Sequence, residues 1–231
     1  MLAQKIKAGY ILGYSEVDTE KDRLVGSNLF PENLKSSTTI KSIKIWFGAP
    51  KNEPDQKSLL GMKVTYINYI TGEKKETNYQ GAPIEGTDVD IKELVVKEGD
   101  YLSKFNIGFT NFINHIKFTT LKGEKIELGE IKEETEKKVV NKINKGNNVI
   151  VNIKGYSSQS GIRAIGCDYI SLSDFCFARW FFLLRLRNKL KDDKYKSEYQ
   201  EKYDKLNETE KCFFRICNSS KVIFSSILKY V

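Results

Sequence analysis

The sequence predicts a mainly-β domain, of sandwich, barrel or prism type, followed by an α-helical C-terminal extension. Three observations carry that expectation. Apolar and polar residues alternate over short stretches, separated by turns that bear Gly, Asp or Asn. The alternation stops near Ser171, and Asp174 to Leu190 then runs without Gly or Pro and is rich in Leu, Phe and Arg. Finally, 12 of the 27 Phe, Trp and Tyr fall in residues 172–231, a tail too aromatic to stay unpacked. The predicted division is a β domain over residues 1–171 and a helical extension over residues 172–231.

Within the β domain, Thr39 to Phe47 alternates with Ile40, Ile43, Ile45 and Phe47 apolar. Lys63 to Ile70 alternates next, and Thr71-Gly72 predicts a turn that returns the chain along Glu73 to Tyr79. Ile91 to Val96 and Tyr101 to Ile107 flank the turn Glu98-Gly99-Asp100 and read as a hairpin. Phe112 to Thr120 and Lys125 to Ile131 read as another, around Leu121 to Glu124. Asn148 to Lys154 and Ile162 to Ile170 form the last. Pro50 to Gln56 and Glu133 to Asn148 read as longer polar loops.

The extension begins with a helix that Ser173 or Asp174 caps. Apolar residues surround it over Phe175 to Leu186, so it must be buried. About 12 residues is too short to cross a bilayer, which takes roughly 20. Tyr195, Tyr199 and Tyr203 recur every fourth residue and form an aromatic stripe on the next helix. Asn207 and Glu210 make a capping-box start for Glu208 to Cys217.

Composition narrows the function classes. The chain has 231 residues and a net charge of +8, mostly from lysine. Acids interrupt every basic stretch, which reads as a solvated surface and disfavours nucleic acid as the partner. Cys167, Cys176, Cys212 and Cys217 form no CxxC, and His115 is the single histidine, so no metal site and no cofactor are expected. Apolar surroundings at three of these cysteines fit buried free thiols in a reducing compartment. The first residues show no secretory pattern, and an intracellular location is expected. No hydrolase, metalloprotease or nucleotide-binding motif occurs, and the expectation is a protein without catalysis. His115, set in an alternating strand, reads as a structural residue.

Ile153 to Ser171 is the most informative stretch. It reads as a strand, a Gly/Ser-rich turn and a second strand, with Ala164-Ile165-Gly166 following the turn. This pattern resembles the closing hairpin of jacalin-type lectin domains. Ile43 to Phe47, Leu60 to Tyr66, Val95 to Leu102 and Ile113 to Gly123 resemble further strands of that family, in the family's order. The resemblance covers roughly Ala8 to Ser171. It implies a β-prism of three four-stranded antiparallel sheets around a pseudo-threefold axis.

It also implies a sugar site at one end of the prism. Family members bind mannose or galactose with backbone amides of glycine loops and with an Asp immediately before the Ala-Ile-Gly. A carboxylate suits that task because sugar hydroxyls need a strong acceptor. Here the position is Arg163, and a guanidinium accepts no hydrogen bond. The loop glycine four residues earlier is replaced by Gln159, and the N-terminal glycine loop is reduced to Gly9 and Gly13. The resemblance thus implies a degenerate sugar site of Gly9, Gly13, Gln159, Ser160, Gly161, Ile162 and Arg163. Asp168 lies too far along the strand to replace the missing acid.

The expected function is a non-catalytic lectin-fold module, an accessory subunit of a larger protein assembly. Phe177, Trp180, Phe181, Tyr195, Tyr199 and Tyr203 of the tail are the expected docking residues. The alternative is an intracellular lectin that binds mannose or galactose. Protein partners are expected, with carbohydrate as the alternative ligand and no transmembrane segment.

Overall fold

A computed structural model describes residues 7–8, 12–13, 38–50, 54, 56–69, 72–84, 88–110, 112–130, 138–140, 148–158, 161–176, 183, 186, 190, 196–204, 206 and 211–212. The strands are β1 (Lys7–Ala8), β2 (Leu12–Gly13), β3 (Thr38–Gly48), β4 (Ser58–Asn68), β5 (Lys74–Glu76), β6 (Gln80–Gly81) and β7 (Val89–Val95). They continue with β8 (Leu102–Phe109), β9 (Ile113–Thr120), β10 (Lys125–Gly129), β11 (Lys138–Val140), β12 (Asn148–Ser158) and β13 (Gly161–Ser171). Helix α1 spans Lys196–Asp204. The contacts divide into two compact units, residues 1–68 with 73–175 and residues 69–72 with 176–231.

The first unit is three antiparallel sheets. β3 and β4 form the centre of one, with β7 beside β3 and both β5 and β6 beside β4. β8 and β9 form the centre of the second, flanked by β11 and β10. β12 and β13 form the third, with β1 and β2 on the far edge of β13. The first residues of the chain therefore close against one of its last strands.

Each sheet turns one face inward to a shared core. Ile43, Ile45 and Met62 from the first sheet meet Ile107, Ile116 and Phe118 from the second and Ile150, Ile153 and Ile165 from the third. Burying one such side chain stabilises the fold by about 1.5–3 kcal/mol. The alternation read in the sequence persists as one-sided burial in β9, β10 and the later part of β4, whereas β3, β12 and β13 are buried over longer runs.

Two strand expectations change. Ile91 to Val96 and Tyr101 to Ile107 do not pair with each other: β7 pairs with β3, and β8 pairs with β9 and β11. The turn at Glu98-Gly99 instead carries the chain from one sheet to the next. Asp100 fixes it, because its Oδ1 accepts from the N–H groups of Tyr101 at 2.8 Å and Lys122 at 3.1 Å. A turn signal marks a change of direction and does not say whether the flanking strands share a sheet. The second change is β11, which lies inside the stretch read as a polar loop and pairs with β8.

The three long hairpins, β3–β4, β8–β9 and β12–β13, carry the same pair of bulges. Lys41, Ser103 and Val151 are the extra residues on the first strands. Leu60, Asn114 and Arg163 are the extra residues on the second strands, near the turns. A bulge bends its strand and increases the twist. Repeating the pair in each sheet curves all three hairpins in the same way around the common core.

After β13, residues 172–176 are helical, and Phe175 is buried with its ring against Tyr101, centroids 4.8 Å apart. The cap is Ser171, one turn earlier than Asp174: its Oγ accepts from Asp174 N–H at 3.1 Å and donates to Asp174 Oδ2 at 2.6 Å. In the second unit, Leu183, Leu186 and Leu206 form a small core with Leu190, Tyr199 and Tyr203 against it. Asn207, Glu210 and Cys217 lie outside the described residues. The Cys167 thiol is buried, whereas the thiols of Cys176 and Cys212 are exposed, so their apolar neighbours in sequence did not foretell burial. Among the described residues no helix is long and apolar enough to cross a membrane.

The close approach of β12 to β13 is testable at Gly155, where an added Cβ would meet Ala164 O at 2.2 Å and Ile165 Cα at 3.0 Å. At Gly123 nothing lies within 4 Å, and only the φ of +90° resists a side chain. Gly155→Ala is expected to destabilise by about 1–3 kcal/mol, more than Gly123→Ala, where the strain is about 1 kcal/mol. Thermal melts of the two variants check this, and equal shifts would contradict it.

Candidate functional site

The sequence directs attention to the end of the prism where β12 turns into β13. Ser158 pairs with Gly161, so two residues link the strands. Gly161 holds a φ of +134°, and an added Cβ there would meet Leu59 O at 2.8 Å, which favours glycine twice over. Ile162 is fully buried in the core. Arg163 follows as the bulge residue, half-buried, with its side chain turned back on the hairpin. Its Nε donates to Ser158 Oγ at 3.1 Å, and its guanidinium carbon sits 5.4 Å from the centre of the Phe112 ring. Gly13 pairs with Ala164, which brings the N-terminal glycine beside this bulge. Gly9, Gln159 and Ser160 lie outside the described residues.

Asp168 is committed elsewhere. Its carboxylate accepts from Lys154 Nζ at 2.6 Å and from Asn152 Nδ2 at 2.9 Å. Asn152 Oδ1 accepts from Tyr66 OH at 3.2 Å, and Tyr66 OH accepts from Ile153 N–H at 3.2 Å. Burial pushes the Tyr66 phenol well above its ordinary range. Burial also pushes the Cys167 thiol up to about 12, which keeps it protonated and a poor nucleophile. This network is structural, and it removes Asp168 from any role at the hairpin tip.

The corner at Arg163 and Gly13 has two counterparts. In each sheet a glycine of a neighbouring strand pairs with the residue just after the second-strand bulge. Gly81 of β6 pairs with Gly61, Gly129 of β10 pairs with His115, and Gly13 of β2 pairs with Ala164. An added Cβ at Gly81 would lie 2.1 Å from Leu60 O, and one at Gly129 would lie 2.0 Å from Asn114 O. Both glycines also hold positive φ. The bulge residues themselves differ in chemistry: a buried Leu60, a polar Asn114 and a cationic Arg163.

The Asn114 corner opens on a groove between the edge strands β7 and β10, with a volume of about 790 Å³. Phe47, Leu128 and Gly129 line it with Asp90, Lys92, Glu127 and Glu130, and Gln56, Lys57 and Thr110 border it. Lys92 Nζ donates to Glu127 O across the groove at 3.3 Å, and Gln56 Nε2 donates to Thr110 Oγ1 at 3.0 Å. Glu127 is anchored at both oxygens, Oε2 by Lys117 at 2.8 Å and Oε1 by His115 Nε2 at 3.1 Å. The Lys117 and His115 hydrogen bonds hold its carboxyl below the ordinary 4.5. His115 is 4% exposed and thus a strand residue that positions an acid, in keeping with its structural reading. Among the described residues no cluster of His, Cys, Asp and Glu has a metal-binding arrangement.

Sequence reasoning found the Arg163 corner and missed the Asn114 corner. The signal was present but faint: Ile113-Asn114-His115-Ile116 has the same apolar-bulge-spacer-apolar order as Ile162-Arg163-Ala164-Ile165. Of the expected docking residues, Tyr199 and Tyr203 are half-buried against the leucines of their own unit. Phe177, Trp180, Phe181 and Tyr195 lie outside the described residues.

No family model and no curated protein sequence matches the chain. Solved structures do. A variant of Malaysian banana lectin is similar with a TM-score of 0.50 at 16% identity, over 72% of this chain and 98% of that one. The mannose-binding lectin from Champedak is similar with a TM-score of 0.50 at 16% identity, over 73% of this chain and 99% of that one. The chain has the β-prism fold of jacalin-related lectins. The prism spans almost the whole length of those lectins.

In this prism the anchored Glu127 gives a pH signature. A carboxyl held below its ordinary value contributes stability that is complete above about pH 4.5 and is lost as pH falls through the lower native value. Glu127→Gln is expected to destabilise the protein by about 0.2–1 kcal/mol near neutral pH, since the side chain is 38% exposed. The difference should shrink at an acidic pH below about 4.5, as the carboxyl protonates. Denaturant melts at the two pH values check this, and a constant difference would refute the ion-pair account.

Proposed function

We propose that the protein is a non-catalytic recognition module on a jacalin-like prism, one whose closing-hairpin corner has lost sugar binding through a carboxylate. The observation that carries this reading is Arg163. It stands at the bulge where the family resemblance places an acid, and it is held by Ser158 Oγ and the Phe112 ring. A cation supplies donors where sugar hydroxyls need an acceptor, and Asp168 is bound to Lys154 and Asn152. The proposed partner is another protein, engaged through the C-terminal unit, where Tyr199 and Tyr203 remain half-buried beside Leu183, Leu186 and Leu206.

A second reading is a working lectin that binds sugar at the closing hairpin. The mannose-binding lectin from Champedak, whose fold this chain shares, favours it.

A glycan array of the native protein beside Arg163→Ala separates the two. The proposed reading expects the variant to keep every signal the native protein gives, with an unchanged fold by circular dichroism. A sugar signal abolished in a folded Arg163→Ala protein would overturn it and bring the lectin reading forward.

A further inference from the structure

β7 (Val89–Val95) is an edge of its sheet, and among the described residues it pairs with β3 alone. β10 belongs to a different sheet, and Lys92 Nζ reaches it through a side chain, at Glu127 O, 3.3 Å away. On the β3 side, Val96 N–H donates to Lys41 O at 2.8 Å. Backbone groups alternate in direction along a strand, so those of Leu94, Lys92 and Asp90 also face β3. The N–H and C=O groups of Val89, Ile91 and Glu93 then face the open edge. The side chains add a second feature. Ile91 and Val95 are each 53% exposed on the outer face, whereas Leu94 turns into the core. Trp46 of β3 lies opposite Ile91. An open edge with exposed apolar residues is a template for another strand.

We infer that β7 pairs antiparallel with β7 of a second copy of this chain, about a twofold axis through Ile91. The charges select that partner and that register. A twofold axis normal to the sheet keeps outer face with outer face, so it passes through a residue and not between two. With the axis at Ile91, Asp90 of each copy stands opposite Lys92 of the other, and the two Ile91 side chains meet. The Ile91 pair and both Val89–Glu93 pairs exchange backbone hydrogen bonds, because those residues face the edge. Trp46 and Ile91 of both copies make one apolar row across the outer face. Neighbouring registers bring like charges together. An axis at Val89 sets Asp88 against Asp90, and an axis at Asp90, Lys92 or Glu93 sets that residue against itself. An axis at Leu94 joins no opposite charges. Charges on an edge commonly deter pairing. Here they deter the neighbouring alignments and reward one, which is how a self-complementary surface gains specificity. A strand pair is a small interface, so the dimer is expected to be weak and concentration-dependent. This interface goes beyond the recognition-module reading and does not rest on it.

The test is sedimentation equilibrium of the full chain over a range of concentrations. The buffer is reducing, since Cys176 and Cys212 carry exposed thiols. The native chain is expected to show a monomer–dimer equilibrium. Asp90→Lys sets lysine against Lys92 at both ends of the interface, and Lys92→Asp sets aspartate against Asp90. Each is expected to weaken the dimer about tenfold, and the double reversal is expected to restore the native constant. Asp90 and Lys92 are exposed, so the variants should melt as the native chain does. Ile91→Lys, which sets like charges at the axis, supplies an independent variant and is expected to abolish the dimer. A native chain that stays monomeric at every concentration would overturn the proposal. So would a dimer indifferent to the single reversals, which would place the contact elsewhere, or a double reversal no better than the singles, which would refute the register.

Discussion

The prism depends on where its long hairpins bend. Three hairpins of similar length must present one apolar face each to a common core and still meet at their edges. Paired bulges at Lys41 and Leu60, Ser103 and Asn114, Val151 and Arg163 meet that demand in the same way in each sheet. A bulge inserts one unpaired residue and bends the strand beyond it. Moved by one position, it would swap core-facing and outward-facing residues along the remaining length. The second bulges have a further effect, because each places its extra residue close to the turn of its hairpin. The same device that closes the fold thus creates three places where a functional residue can stand.

Polar contacts help to hold the bend between sheets. Tyr66 lies opposite the Lys41 bulge of one sheet, and its hydroxyl bonds Asn152 and Ile153, just past the Val151 bulge of another. Asn152 passes the connection to Asp168, which Lys154 neutralises at 2.6 Å. The chain is satisfied from end to end, which is the condition for a buried polar network to stabilise a unique arrangement. It fixes the register of β12 on β13, and β13 in turn receives the N-terminal strands β1 and β2.

Much of this was legible in the sequence. Period-two alternation located β3, β4, β9, β10, β12 and β13; it persists in the burial of β9, β10 and the later part of β4, whereas β3, β12 and β13 bury runs of four or five consecutive residues. Ala164-Ile165-Gly166 pointed to the closing hairpin and hence to the fold. Pairing was harder to read. Glu98-Gly99-Asp100 is good turn chemistry, yet whether the turn joins neighbours or crosses to a new sheet depends on partners far along the chain. β11 holds two valines among charges, too short a run for periodicity to register. The threefold repeat of the bulges left almost no trace, since Leu60, Asn114 and Arg163 share no chemistry. What repeats is backbone geometry, together with the glycines at positions 13, 81 and 129 that let strands approach it. Arg163 was legible as a departure from a family pattern. Asn114 was not, because its significance comes from a groove whose walls are drawn from β3, β7, β9 and β10.

The account stands or falls on whether the Tyr66–Asn152–Asp168 network couples the bent hairpins. A double-mutant cycle of Tyr66→Phe and Asp168→Asn, read by denaturant unfolding, measures that coupling directly. The account predicts an interaction energy of at least about 0.5 kcal/mol, carried through Asn152 between residues that make no direct hydrogen bond. Strict additivity, within about 0.3 kcal/mol, would show that the two ends of the network act independently and that it does not hold the sheets in register.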